Sequence, residues 1–149
     1  MSQPPAHRDP WRAYLEASLL LETRLDEDLR ATAGLSLFDY HLLLLLAEAP
    51  GRELRMGELA RRLVFSASRV TYQVKSLEKR NLVLRRPSRT DRRVSYAVLT
   101  AAGLDVLRAA APHHSDTVHR LFLDDLDPAE TRVIDRVFNR LWNRLTEED

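Results

Sequence analysis

One segment of the chain changes its hydrophobic period from that of a helix to that of a strand, and this switch limits the possible folds more than any other feature. Val70, Val74 and Leu77 recur at i, i+4 and i+7, the spacing of one helix face. The following runs, LVLRR (82–86) and VSYAVL (94–99), are rich in branched and aromatic residues, as strands are. The segment therefore predicts a helix followed directly by a β-hairpin.

The ends of that helix and the residues before it indicate a helix-turn-helix. Ser66 is a favoured N-cap residue, and Asn81 tolerates the left-handed conformation that often follows a helix. Residues 56–63 place their apolar side chains on one helical face, after a short extended piece at 53–56 and before a break at Phe65. Two short helices with a tight break between them, followed by a hairpin, are typical of a winged helix-turn-helix.

Two further helices are predicted before this module. The first begins at Pro10 and ends at Gly34, and its apolar residues recur at close to helical spacing. The second has Ser36 as its N-cap and contains LLLLLA (42–47), which is apolar all round and is therefore expected to be the central buried helix; Pro50 ends it. The stripe of the first helix consists of Trp11, Leu15, Leu19, Leu25 and Leu29.

Two more helices are predicted after the hairpin. Thr100 caps one that runs to about Leu123 with a bend at Pro112, and a capping box of Asp127 and Glu130 begins the last. The apolar stripe of the last helix is wider than one neighbour needs, which favours a two-fold homodimer over a monomer core. That stripe consists of Val133, Ile134, Val137, Phe138, Leu141, Trp142 and Leu145, and Leu121, Phe122 and Leu123 add to it.

The net charge of +1 conceals a strong segregation of charge. Residues 52–93 hold 13 Lys and Arg against 4 Asp and Glu, whereas the rest of the chain holds 10 against 18. Five of the arginines fall within RRPSRTDRRV (85–94), at the tip of the predicted hairpin. A basic module in an acidic frame is typical of a protein that binds polyanions, nucleic acid above all. A solvated surface that happens to be basic is the alternative.

Polar residues between the stripe positions of the 66–81 helix are expected to face outward and contact base edges and phosphates. Arg69 suits a guanine, Gln73 an adenine, and Tyr72 a phosphate, a sugar or a thymine methyl group. The predicted contacts on this helix are Ser66, Ser68, Arg69, Thr71, Tyr72, Gln73 and Lys75.

The basic hairpin tip is expected to enter the minor groove, where the negative potential attracts arginine. The predicted contacts are Arg89, Arg92 and Arg93. Asp91 would face polyphosphate there, so we expect its carboxylate to orient Arg93 through a bidentate pair. A wing that is merely solvated is the alternative, because surface ion pairs contribute little.

Composition excludes several classes of function. The 149 residues predict a single domain, and the absence of cysteine excludes disulfides, cysteine-bound zinc and thiol sensing. There is no apolar run of membrane-spanning length and no signal sequence at 1–10, so a cytoplasmic protein without a membrane partner is expected. Without a glycine-rich phosphate loop or a convincing acid/base pair, no enzyme and no cofactor are expected.

The chain resembles the MarR family of bacterial transcription regulators over nearly its whole length, most strongly at residues 66–103. The match consists of the recognition helix, S-x-S-x-V-T and then L-E-K-R-x-L-V, and of the wing, D-R-R followed by L-T-x-x-G. SLFDYHLLLLLAEAPG (36–51) fits the family's second helix. Asn81 stands where the family usually has glycine, and Tyr72 and Gln73 are not the usual pair.

This resemblance implies a mainly α-helical fold with a small β-hairpin wing. The winged module would span residues 36–99, and helices at 10–34 and 100–148 would form a homodimer. Such a dimer would bind the two half-sites of a palindrome in double-stranded DNA, most simply as a repressor. Many members of the family are released by small aromatic or phenolic effectors, for which the candidate residues here are Trp11, Arg12, Tyr14, Phe38 and His41.

Two further alternatives concern the histidines and the basic face. His113, His114 and His119 cluster with Asp116, but five residues separate His114 from His119, so exposed histidines are favoured over a metal site. The alternative function of the winged module is protein interaction, in which its basic face would bind an acidic protein. Steep salt dependence together with a sequence preference distinguishes DNA from that partner.

Overall fold

A computed structural model of the protein describes residues 9–147, so residue 148 of the last predicted helix lies outside the described residues. The described chain is mainly helical with one small antiparallel sheet, which confirms the predicted fold class. It divides into two compact units, one ending at His114 and the other beginning at Ser115; the single domain stays a prediction. In chain order the elements are α1 (Pro10–Ala33), α2 (Leu37–Glu48), β1 (Glu53–Arg55), α3 (Met56–Leu63), α4 (Ala67–Lys79), β2 (Val83–Pro87), β3 (Ser95–Leu99), α5 (Ala101–Val118) and α6 (Pro128–Glu147).

Helix α2 forms the centre of the first unit, as its apolar run predicts. Leu42, Leu43 and Leu46 have no exposed surface. The helix begins with the capping box that the sequence indicated: Ser36 Oγ accepts from the Asp39 backbone N–H at 2.9 Å, and Asp39 Oδ2 accepts from the Ser36 N–H at 3.1 Å. Such a cap stabilises a helix by about 1 kcal/mol, so local chemistry fixes where the buried helix starts.

Helix α1 is only partly buried, although its apolar stripe runs along most of its length. Leu25 and Leu29 join the core, whereas Trp11, Leu15 and Leu19 are exposed. The helix ends at Gly34 in the left-handed conformation (φ 65°), as expected, and its N-cap is Asp9, whose carboxylate accepts from the Trp11 N–H at 2.9 Å.

Helices α3 and α4 form the predicted helix-turn-helix. Ser66 caps α4 by accepting from the Arg69 N–H at 3.3 Å, and Asn81 after the helix has a φ of 57°, which confirms its left-handed conformation. Val64, which ends α3, also has a φ of 57°. A β-branched residue rarely adopts this conformation, so the turn before α4 is strained.

The sheet has three strands in the order β1-β3-β2, not the two predicted from the sequence. Residues 53–55 were expected to be only an extended piece, and the structure pairs them antiparallel with β3. The pairing aligns Arg55, Tyr96 and Arg86 across the sheet. A three-residue strand shows no hydrophobic alternation of its own, so this distant pairing leaves no local signal in the sequence.

The junction between the wing and α5 explains the L-T-x-x-G pattern at residues 99–103. Thr100 Oγ1 accepts from the Gly103 N–H at 2.9 Å and donates toward the carbonyls of Asn81 (2.7 Å) and Leu82 (3.0 Å). A Cβ at Gly103 would lie 2.1 Å from the Leu82 carbonyl oxygen. Glycine is therefore required for the close contact between α5 and the residues that precede β2.

The second unit contains the last turn of α5, a π-helical turn at His119–Leu123, and α6. Helix α5 is continuous through Pro112. The capping box before α6 is confirmed, with the Asp127 N–H bound to Glu130 Oε2 at 3.0 Å and the Glu130 N–H bound to Asp127 Oδ1 at 2.8 Å. No residue of α6 is buried, and Val133, Phe138, Trp142 and Leu145 of its apolar stripe are exposed.

Candidate nucleic-acid interface

The outward side of α4 carries most of the polar residues that the sequence assigned to it. Ser68, Arg69 and Lys75 are exposed, Thr71 is half-buried, and the Ser66 and Ser68 hydroxyls lie 3.2 Å apart at the start of the helix. Tyr72 is 77% exposed. An aromatic ring that projects this far from a helix gains nothing from the core, which makes Tyr72 available to a partner.

The prediction that Gln73 faces outward is wrong. Its side chain is only 9% exposed, and its amide nitrogen donates to Asp39 Oδ1 at 3.4 Å. Asp39 also lies 3.8 Å from Arg80, so three charged or polar side chains meet between α2 and α4. The signal was in the sequence, because Gln73 lies three residues after Val70 and four before Leu77, within the buried stripe.

Arg69 lies over two aromatic rings. Its guanidinium carbon is 3.8 Å from the Phe65 ring centroid and 5.0 Å from that of Phe38. The two rings meet edge to face, with centroids 4.9 Å apart and planes at 61°. The sequence predicts Arg69 only as a DNA contact, and no motif indicates that it contacts the rings of Phe38 and Phe65.

A cleft of about 330 Å³ lies between the end of α1, the start of α2 and the outward side of α4. Aromatic rings, hydroxyls and charged groups line this cleft. It therefore belongs to the polar surface beside α4 and not to the apolar core. The lining residues are Arg30, Ser36, Phe38, Asp39, Arg69, Tyr72, Gln73 and Ser76.

The wing tip pairs Asp91 with Arg93, as expected, but the predicted bidentate geometry is wrong. One oxygen, Asp91 Oδ1, accepts from both the Arg93 backbone N–H at 3.0 Å and the Arg93 Nε at 3.4 Å. The Arg93 side chain is 91% exposed. The carboxylate therefore holds the backbone of the tip and leaves the terminal nitrogens of the guanidinium to a partner.

The five arginines of residues 85–94 fall into two groups. Arg85 and Arg86 at the base of the wing are bound within the chain: Arg85 donates to Ser95 Oγ at 3.0 Å, and Arg86 forms an ion pair of 2.8 Å with Glu53. Arg89 and Arg92 at the tip are exposed, and they form no ion pair with any residue in the described range 9–147. The cationic surface is thus the tip.

The base of the wing is held by a row of side chains across the sheet. Arg55 Nε donates to the Tyr96 hydroxyl at 3.2 Å, and the Arg86 guanidinium lies 4.7 Å from the Tyr96 ring centroid. This hydrogen bond raises the pKa of Arg55. Charged side chains here stabilise the wing itself.

The residues predicted to line an effector site are not together within one chain. Trp11 and Tyr14 lie near the start of α1 with ring centroids 6.0 Å apart, and Arg12 forms an ion pair with Glu16 there. Phe38 follows the other end of α1, about 36 Å away along a helix of 24 residues. His41 is exposed on α2.

The histidines near the end of α5 have partners of their own. His113 Nε2 lies 3.0 Å from Asp28 Oδ2, and the His114 ring packs 4.3 Å from the ring of Tyr40. Within residues 9–147, no three His, Asp or Glu side chains are grouped so as to hold a metal ion. In the same range no single helix is long and apolar enough to cross a membrane; only α1 and α2 together, across a bend of 77°, reach that length and composition.

Comparison with known proteins gives consistent relatives. A family model described as MarR family matches residues 33–94. The chain is 36% identical to AbsC, a MarR family transcriptional regulator from Streptomyces coelicolor, with a TM-score of 0.88 and 97% of each chain covered. It is 39% identical to Sco3205, a MarR family transcriptional regulator from the same organism solved in complex with DNA, with a TM-score of 0.88 and 91% and 88% covered.

A curated relative is the HTH-type transcriptional regulator MhqR of Bacillus subtilis (strain 168), which is 29% identical over 66 residues. That match covers 44% of this chain and 46% of the relative, less than half the length of either. All three proteins are described as regulators rather than enzymes.

Proposed function

This chain belongs to the MarR family, and on that premise we propose that it is a sequence-specific DNA-binding transcription regulator. One observation carries the proposal. The outward side of α4 and the tip of the wing both present hydrogen-bond donors and positive charge that the described residues do not neutralise. These are the two elements with which a winged helix-turn-helix contacts a major groove and the neighbouring minor groove.

In this proposal α4 lies in the major groove. Its exposed side chains contact base edges and phosphates, and Tyr72 packs against a sugar or a thymine methyl group. Gln73 supports the helix from behind through Asp39. The proposed contacts on α4 are Ser66, Ser68, Arg69, Thr71, Tyr72 and Lys75.

The wing tip lies in the minor groove in this proposal. Arg89, Arg92 and Arg93 contact it, because a narrow minor groove concentrates negative potential that attracts guanidinium groups. Asp91 contacts no phosphate and instead fixes the backbone of the tip through Arg93.

The regulator acts as a homodimer in this proposal. In α6, Val133, Trp142 and Leu145 are exposed, and the first half of α1 exposes Trp11 and Leu20. Apolar surfaces of this kind favour a second copy, and a two-fold dimer places two recognition helices on half-sites about 34 Å apart, hence a palindromic operator.

Repression and release by an effector complete the proposal. A cytoplasmic dimer bound over a promoter excludes the polymerase, which makes repression the simplest mode. A small aromatic or phenolic effector would require a second copy to bring Trp11, Arg12 and Tyr14 near the Phe38 and His41 of another chain, because one chain does not join them.

Fluorescence anisotropy tests the proposal. The probes are a duplex from immediately upstream of the protein's own gene, a shuffled duplex of the same composition, and further duplexes selected from genomic fragments. We expect tight binding with a sequence preference and a steep fall of log affinity with log salt. Arg93→Ala is expected to weaken it, whereas Arg108→Ala, which removes an exposed arginine of α5, leaves it unchanged. A selection that recovers no sequence, with equal weak binding to all duplexes, would favour an acidic protein as the partner.

A further inference from the structure

We propose that Phe38 and Phe65 form an aromatic seat that fixes Arg69 before DNA is bound. Two residues that do not touch DNA would then set the strength and the base selectivity of the Arg69 contact. The inference rests on the proposed function, and it adds positioning residues to the DNA-reading surface that neither the sequence motifs nor the wing identify.

The aromatic seat brings three segments of the chain together. Phe38 lies in the first turn of α2, Phe65 lies in the turn before α4, and Arg69 lies in the first turn of α4. The guanidinium is closer to Phe65, at 3.8 Å, than to Phe38, at 5.0 Å. Edge-to-face packing of the two rings at 4.9 Å fixes them relative to each other, so the arginine rests on a surface that is itself rigid.

Stacking on a ring uses the face of a guanidinium and leaves its donors free. The five N–H groups lie in the plane of the guanidinium and point away from a ring placed above or below it. Among the described residues the Arg69 side chain forms no hydrogen bond and no ion pair. The seat therefore restricts the position of the head group without using the donors that bidentate contact with a guanine needs.

A free arginine side chain has many rotamers, and binding DNA would have to select one of them. If the aromatic seat already holds Arg69 in that rotamer in the free protein, less side-chain entropy is lost when DNA binds, and the affinity for DNA is higher. The direction of the donors is also fixed, so a wrong base at that position is penalised more strongly.

Packing alone does not account for Phe38. Its ring is 38% exposed and lines the cleft of about 330 Å³ beside α4. An apolar side chain of the core would have little exposure, as Leu42, Leu43 and Leu46 of α2 have. The ring is instead at the surface, where it contacts both Arg69 and Phe65.

A double-mutant cycle tests the role of the seat. Dissociation constants are measured for wild type, Phe65→Leu, Arg69→Ala and the double variant, on the tightest duplex and on the same duplex with each guanine replaced in turn. We expect Phe65→Leu to weaken binding about fivefold to tenfold, and less than about twofold once Arg69 is absent. Phe65→Tyr, which keeps the ring, is expected to restore affinity to within about twofold of wild type.

Two outcomes would overturn the inference while leaving the proposed function intact. One is an equal loss of affinity for Phe65→Leu in both backgrounds, which would mean that Phe65 supports the fold rather than Arg69. The other is no loss at all. Phe38→Leu, at the more exposed ring, provides a second variant if Phe65→Leu does not fold, and it is expected to show the same coupling to Arg69 at smaller amplitude.

A measurement on the free protein tests whether the aromatic seat exists, independently of whether the protein binds DNA. In NMR spectra of the free protein, ring currents should shift the Arg69 Hδ protons upfield, and Phe65→Leu should remove most of that shift. Absence of the shift in wild type overturns the seat whatever the protein binds. If the shift is present but no duplex is bound by wild type, the proposed function fails and the inferred role of the seat in DNA selectivity fails with it.

Discussion

Helices α2 and α6 are both rich in apolar residues, yet they are buried to opposite degrees. In α2, Leu42, Leu43 and Leu46 have no exposed surface because the rest of the first unit surrounds them. In α6 no residue is buried, although an apolar stripe runs along the helix. An apolar stripe thus indicates that a helix needs a partner, and only the fold shows whether that partner lies in the same chain.

The arginines of the wing show a similar contrast, between side chains that are bound within the chain and side chains that are left exposed. Arg85 and Arg86 are bound by Ser95 and Glu53 at the base of the sheet. The arginines at the tip are left exposed. Side chains that are buried or paired within the chain should therefore determine the stability of the fold. Side chains that stay exposed should determine what the protein binds.

The largest expected effect compares the two helices directly. Leu43→Ala is expected to lower the free energy of unfolding by about 2–5 kcal/mol, because it leaves a cavity at a site with no exposed surface. Leu145→Ala removes the same atoms from a side chain that is 55% exposed, and should cost about 0.5 kcal/mol or less at concentrations where the protein is monomeric. Urea titration followed by circular dichroism measures both. Equal losses would show that α6 is packed within its own chain.

The next effect concerns assembly. Trp142→Glu is expected to raise the dimer dissociation constant by at least about tenfold, because an aromatic anchor is lost and a carboxylate enters an apolar interface. Sedimentation equilibrium measures it. Asn143→Glu adds the same charge at the neighbouring position, outside the stripe, and should leave the constant within about twofold. If both variants stay dimeric, α6 is not the interface.

A smaller effect separates the tip of the wing from its base. Arg92→Ala should weaken DNA binding about threefold to tenfold and lower the slope of log affinity against log salt by about one, since one phosphate or groove contact is lost. Arg86→Ala removes an arginine that is already paired with Glu53, so it should alter thermal stability more than the salt slope. A loss of salt slope in Arg86→Ala that matched the loss in Arg92→Ala would contradict the division of the arginines into two groups.

The smallest effect depends on pH. Burial beside Tyr40 lowers the pKa of His114 from its usual 6.5, and the buried Nδ1 has no hydrogen-bond partner among the described residues. The folded state therefore binds a proton at His114 less tightly than the unfolded state does. The contribution of neutral His114 to the free energy of unfolding is complete above pH 6.5 and decreases as the pH falls below that value. His114→Phe should flatten this part of the profile of unfolding free energy against pH. An unchanged profile would place the titrating group elsewhere.

The parts of the fold that depend on neighbouring residues could be predicted from the sequence. Ser36 with Asp39, Asp127 with Glu130, and Asn81 act within a few residues of the chain, and each has the predicted geometry. The buried stripe of α4 followed from the helical period alone. Family membership was likewise indicated by a contiguous set of motifs.

What the sequence missed depends on residues that are distant along the chain. Gln73 is the exception: its partner Asp39 is 34 residues earlier, but its position within the helical stripe already indicates burial. Strand β1 pairs with a strand 41 residues away. The contact of Arg69 with Phe38 likewise joins residues about 31 positions apart in the sequence.

The pairing of β1 with β3 also bears on how the chain is made. Along the sequence, α3, α4 and β2 lie between these two strands. Strand β1 therefore leaves the ribosome well before β3, the strand to which it is hydrogen-bonded. During synthesis the helix-turn-helix must therefore emerge while one flanking strand still lacks its mate. Closing a loop of about 40 residues costs chain entropy that grows only slowly with length, and the full pairing becomes possible only once Val98 has been added. The nascent chain thus carries α4 before the sheet that α4 contacts is complete.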